Sequence, residues 1–197
     1  LLPLLILLPL FEYAQRQAPH EFRYKAAFME AHAAELEILV LGLSHTHRLN
    51  CNYLGRKAFN LCYNNQSVDR DYQLWQRYRD SLKSLRYIVY PLSCWFHQNQ
   101  SDGIEAWRTP FYTIHYGLPA PSLDMQKRFI MANPKIAVKR LGAILRGSMD
   151  RMQRSCDSLG SSLTMLTDRR PDWEGRSGEF MARRHSEFTP ENAAENR

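Results

Sequence analysis

The sequence predicts an α/β domain built on a mostly parallel sheet. Three short apolar runs read as strands: Ile38 to Leu41, "KAFNLCY" at 57–63, and "LRYIVYPLSCWF" at 85–96. The segment between the second and third runs is a strongly patterned amphipathic helix, so the order is strand, loop, strand, helix, strand, the signature of parallel pairing with helical cover. Each run also ends in small or hydrogen-bonding residues, "GLSH", "YNNQS" and "PLS". Ligands of parallel sheets bind beyond the carboxyl ends of the strands, so these three ends are expected to share one rim.

The chain opens "LLPLLILLPLF", eleven apolar residues that are too few to span a bilayer as a helix but too many for an exposed loop. They read as a signal-peptide core or the last half of a transmembrane helix over residues 1–14, in preference to a buried core helix, because two prolines interrupt the run and no polar face appears. Residues 15–37 are expected to form a linker helix, since "EFRYKAAFMEAHAAELE" is rich in Ala and Glu. The α/β domain then occupies 38–197.

Ile38 to Leu41 is continuously apolar, as a central strand buried on both faces requires, and Gly42 ends it. In "VDRDYQLWQRYRDSL" (68–82), Tyr72, Trp75, Tyr78 and Leu82 recur at helical spacing, Ser67 is placed to cap the helix, and Asp69 and Asp71 favour its positive end. Residues 97–134 are irregular and rich in aromatics, Pro and Gly, which suggests a lid or substrate loop. "PKIAVKRLGAILRGSMDRMQRS" reads as a helix weakened by Gly142 and Gly147. At the end, Thr189 as N-cap, Pro190 at the first position, and Glu191 and Asn192 behind them begin a helix that the chain scarcely continues, which points to a domain truncated at its C-terminus.

The net charge of +6 raises the question of nucleic acid, but the late arginines are interspersed with acids and form no block, so a solvated face or tail is expected and no nucleic-acid partner. The four cysteines, Cys51, Cys62, Cys94 and Cys156, form no C-x-x-C pair and argue against a zinc site; Cys62 and Cys94 read as small buried hydrophobes.

Chemistry is concentrated at the predicted rim. Ser44 follows the first strand directly. It suits a nucleophile if a base and oxyanion donors are within reach, and a simple cap if they are not; "GLSHT" is not the G-x-S-x-G elbow. His45 and His47 form an H-x-H pair able to grip an ion, yet no third ligand lies at sensible spacing, His32 and His115 being isolated, so no metal and no cofactor is expected. A satisfied histidine, or one touching substrate, is the better reading. Asn60, Asn64, Asn65 and Gln66 form an amide cluster after the second strand that suits oxyanion stabilisation or turn chemistry. Ser93 ends the third strand, and Trp95, Trp107, Tyr112 and Tyr116 suit stacking on sugar rings or ordinary packing.

The span "LEILVLGLSHTHRLNCNYLGRKAFNLCYNNQSVDRDYQLWQRYRDSLKSLRYIVYPLSCWF" resembles the N-terminal half of SGNH-hydrolase-like proteins of bacterial cell envelopes, which often accompany capsule or other surface-polysaccharide genes. "LGLSH" is similar to a G-S-S-H block, "AFNLCYNNQSVDRDY" to F-N-x-x-x-x-S-Q with a following D-Y, and "LRYIVYPLSCWF" to a strand ending P-x-S-x-F. "ARRHSEFTPENAAENR" is similar to a later segment. The resemblance covers residues 20–97 well. It implies a three-layer, flavodoxin-like fold, Ser44 as nucleophile, and an oxyanion loop at Asn64, Asn65 and Gln66. His45, Ser67, Ser93 and Trp95 are the residues expected to meet substrate.

The expected activity is an esterase or O-acyltransferase on acyl esters of a surface polysaccharide, in a domain anchored by its N-terminal segment at the bacterial envelope. The chain departs from the family pattern at Leu43, where small or acidic residues are usual, and contains no Asp-x-x-His block; the base is expected beyond Arg197. The alternative is a non-catalytic polysaccharide-binding or assembly protein on the same fold. A nucleotide-binding protein is disfavoured, because "GLSHTH" is no glycine-rich phosphate loop.

Overall fold

A computed structural model describes residues 2–64, 66–91, 106–119, 128–146 and 156–162. The sheet has three strands in the order β2-β1-β3: β1 (Ile38–Val40) in the centre, β2 (Ala58–Asn60) on one side and β3 (Tyr87–Val89) on the other. Both pairings are parallel, with Leu39 level with Phe59 and Ile88. The strands are shorter than the apolar runs that announced them: Leu41 and Leu61 still donate their N–H groups to Val89 O and Val40 O, but the chain beyond them continues as buried, irregular structure through Tyr63.

Side-chain alternation splits the core in two. Leu39 and Phe59 face a large cluster with α2 (Glu21–His32), α4 (Val68–Tyr78) and α5 (Thr109–Tyr116). Ile38, Val40 and Ala58 face a smaller one with Cys51, Cys62 and Leu159. Phe59 stacks on Phe28 of α2 with 4.0 Å between ring centroids. The outer side of β2 is closed by residues 156–162, where Asn60 donates its N–H to Leu159 O at 2.8 Å and Ser162 donates to His47 O. Gly160 makes that approach possible: its φ is +82°, and a Cβ there would lie 2.2 Å from Asn60 O.

Three sequence expectations change here. Residues 15–37 are no tether outside the domain, because α2 inserts Phe22, Ala26 and Met29 into the main core and Phe22 stacks on Tyr63. The irregular stretch 97–134 contains a core helix, α5, whose Phe111, Tyr112 and Tyr116 are buried. The aromatic stripe of α4 is rotated from its predicted face: Tyr72 is exposed, while Asp71, Leu74 and Tyr78 point inward. The cap is as expected, with Ser67 Oγ accepting from Arg70 N–H.

The apolar N-terminal run folds as α1 (Leu2–Gln17), which contains Pro9. No helix among the described residues is long and apolar enough to cross a membrane. The C-terminal half of α1 is tied to the domain: the Glu12 carboxylate accepts from Ile130 and Met131 N–H, and Gln15 accepts from Arg140 of α6 (Pro134–Leu145) at 2.6 Å. Residues 189–192 and Cys94 lie outside the described residues.

Removing the Phe59 ring is expected to cost about 3–5 kcal/mol, since the fully buried side chain leaves a cavity against Phe28. Urea denaturation of Phe59→Ala measures this. Gly160→Ala is expected to lower the midpoint as well, because both the positive φ and the Asn60 carbonyl resist a Cβ.

Candidate functional site

The carboxyl ends of the three strands are joined through one carboxylate. Asp71 lies in the first turns of α4, where its Oδ1 accepts the Gly42 N–H at 3.0 Å and the Gln66 amide, and its Oδ2 accepts the Tyr90 hydroxyl at 3.2 Å. Gly42 follows β1, Gln66 follows β2 and Tyr90 follows β3. Asp71 therefore ties every strand end to the rim. Gly42 can reach it because its φ is +118°; a Cβ at that position would stand 2.5 Å from Pro91 Cδ. Burial pushes the Asp71 carboxyl up to about 6, against the pull of its three donors.

Behind Gly42, Leu43 is extended and caps a single helical turn, α3 (Ser44–His47). Thr46 and His47 donate their N–H groups to Leu43 O, which leaves the N–H groups of Ser44 and His45 as the open donors of the turn. Ser44 is half-buried, and its hydroxyl has no hydrogen-bond partner among the described residues. Asn60 staples this turn to β2: its Nδ2 donates to Thr46 O at 2.7 Å and Leu49 O at 3.1 Å, and its Oδ1 accepts from Cys62 N–H. Burial raises the thiols of Cys51, to about 11, and of Cys62, so neither is a ready nucleophile.

A second buried network supports the rim from α2. His47 Nε2 meets Glu21 Oε1 at 2.7 Å, and His47 Nδ1 faces Asn64 Oδ1 at 3.2 Å. Glu21 also takes Lys25 Nζ at 2.8 Å, while Lys25 donates to Cys62 O at 2.6 Å and lies 4.3 Å from the centroid of the Tyr63 ring. Burial favours the neutral acid at Glu21, but Lys25 and His47 outweigh it and hold the carboxyl far below its ordinary range.

These contacts sort the expected site residues. The helical turn that carries Ser44 is joined to Asn64 through His47, whose ring spans from Glu21 to Asn64. His45 is exposed beside Ser44, whereas His47 is buried and turned to Glu21, so the H-x-H pair does not converge. Gln66 is not an oxyanion donor through its side chain: its amide donates to Asp71 and Leu61 O, and its Oε1 accepts from Tyr112 Oη at 2.7 Å. Ser67 is buried and serves as the helix cap of α4. Tyr112 and Tyr116 are core residues and offer no face to a sugar; Trp107 is half-buried against Phe111. Asn65, Ser93 and Trp95 lie outside the described residues. No trio of potential metal ligands gathers among the described residues.

Asp71, Glu21 and Lys25 are the residues that sequence reasoning missed. Asp71 was legible only as a helix-end charge, and Glu21 and Lys25 only as an i,i+4 pair. Comparisons with protein-family models, curated proteins and solved structures find no match for this chain.

The Asp71 shift sets a pH signature. A carboxyl raised from 3.8 to about 6 contributes stability that is complete below the unfolded value and lost as pH climbs through the folded one. Asp71→Asn cannot titrate, so the stability of the variant relative to the parent is expected to improve between about pH 4 and pH 6, by at most about 3 kcal/mol. Urea midpoints across that range give the answer; a flat difference would contradict it.

Proposed function

We propose that this chain is an SGNH-like esterase or O-acyltransferase, with a three-layer flavodoxin-like fold, that acts on acyl esters of a surface polysaccharide at a bacterial cell envelope. The observation that carries this reading is the position of Ser44. It follows the central strand of a parallel sheet, is half-buried, and has a hydroxyl with no hydrogen-bond partner among the described residues. In this reading Ser44 Oγ attacks the ester carbonyl and its proton passes to a base. The open N–H groups of the turn and the loop at Asn64 hold the oxyanion. The sugar alkoxide then leaves with a proton, and water or a second hydroxyl takes the acyl group from Ser44 to complete hydrolysis or transfer. His45, exposed beside Ser44, meets the substrate.

A binding or assembly role is the second reading. It is favoured by the engagement of His47 with Glu21 and Asn64, because among the described residues no histidine is bonded to the Ser44 hydroxyl. A fluorophosphonate probe separates the two. The enzyme reading expects the chain to be labelled and Ser44→Ala to lose the label while keeping its melting temperature. Labelling that persists in Ser44→Ala would exclude this nucleophile. An unlabelled chain that still binds acetylated polysaccharide in calorimetry would favour the second reading.

A further inference from the structure

The first full turn of α1 with described side chains, Leu7, Leu8, Pro9 and Leu10, is exposed on every side, and Tyr13 is exposed one turn on. Such a helix end is costly in water, and soluble surfaces rarely display one. The other half of α1 is clamped. Glu12 is occupied by Ile130 and Met131 N–H, and Gln15 accepts from Arg140 Nε while its carbonyl accepts from the same guanidinium at 2.9 Å.

The partner helix, α6, continues the pattern. Val138 and Leu145 are seven residues apart, so they share a face, and they are 69% and 77% exposed. Lys139 and Arg146, also seven apart, form an exposed cationic stripe beside that face, and Arg128 is exposed just before the helix. Across residues 2–17 and 128–146 the sole acidic side chain is Glu12, which is buried. Exposed leucines, an exposed valine and the exposed pair Lys139 and Arg146 on two helices fixed to each other match the chemistry of a bilayer with anionic headgroups.

We infer that α1 and α6 together form a docking surface for an anionic bilayer, with Leu7, Leu8 and Leu10 entering the apolar layer and Lys139 and Arg146 meeting the headgroups. This deepens the envelope part of the reading above and rests on it, but not on the chemistry at Ser44. The docked helix is held by Glu12 and Gln15, without a flexible linker, so the domain lies against the membrane in a fixed orientation.

Flotation of the 197-residue chain with vesicles tests this. The chain is expected to bind vesicles of mixed phosphatidylglycerol and phosphatidylcholine more tightly than phosphatidylcholine alone, with the preference collapsing at about 0.5 M salt. The variant Leu7→Glu/Leu8→Glu/Leu10→Glu is expected to lose both kinds of binding. Lys139→Gln/Arg146→Gln, which alters two exposed side chains, is expected to keep the apolar binding and lose on the order of tenfold of the anionic preference. Ser44→Ala is expected to bind as the parent does, so failure here is separable from failure of the nucleophile assignment. The inference is overturned if the parent chain ignores vesicles or if the α6 variant keeps its full anionic preference. A lipid-free dimer in sedimentation velocity that the leucine variant converts to monomer would likewise overturn it in favour of a second copy.

Discussion

One carboxylate fixes the geometry of the strand ends. Parallel strands carry no hairpin turns, so nothing in the sheet itself determines how the loops beyond it meet. Asp71 supplies that constraint by accepting from Gly42, Gln66 and Tyr90, one group beyond each strand. Burying a carboxylate is costly unless its lone pairs are filled, and here three donors fill them. The raised pKa records that burial still outweighs the donors. The cost returns as specificity of arrangement: a different loop register would leave a buried charge short of partners.

The second network obeys the same logic with opposite sign. Glu21 carries two positive-side partners, Lys25 and His47, so the charged form wins despite burial. It places a histidine one helical turn from Ser44 but spends both ring nitrogens on other groups. Among the described residues the rim thus combines the Ser44 hydroxyl, which has no hydrogen-bond partner there, with polar side chains already satisfied within the protein. Around Phe111 the balance differs again. Burial and the nearby Arg140 depress His20 to about 3 and His115 to about 4, because His20 stacks on Phe111 at 4.5 Å and the Arg140 guanidinium covers the same ring at 5.3 Å. Protonating either histidine would add charge beside a guanidinium whose hydrogen-bond partners are neutral, the Gln15 amide and its carbonyl.

Much of this was readable from local pattern. Ile38 to Leu41 announced a central strand because only a strand covered on both faces tolerates four apolar residues in a row, and Ser67 announced its helix because a hydroxyl before Val68 fills an orphan N–H. The errors share one cause. Gln66, Tyr112 and Tyr116 were read from residue type and spacing, but their roles depend on partners 5 to 53 residues away, such as Asp71 for Gln66 and Tyr63 for Tyr116. Helical spacing gives the existence of an amphipathic face. It does not give the rotation of that face when a buried carboxylate must reach three loops.

The sequence by itself determined the α/β class, the parallel order, the glycine that ends β1 and the serine that follows it, since these rest on periodicity, backbone freedom and capping within a few residues. Only the tertiary structure decided that Asn60, Gln66 and Ser67 serve the scaffold, that His47 belongs to Glu21, and that Ser44 keeps a hydroxyl with no hydrogen-bond partner among the described residues. Hydrogen-bond satisfaction of buried groups is settled across distant segments at once, and no local window of sequence contains it.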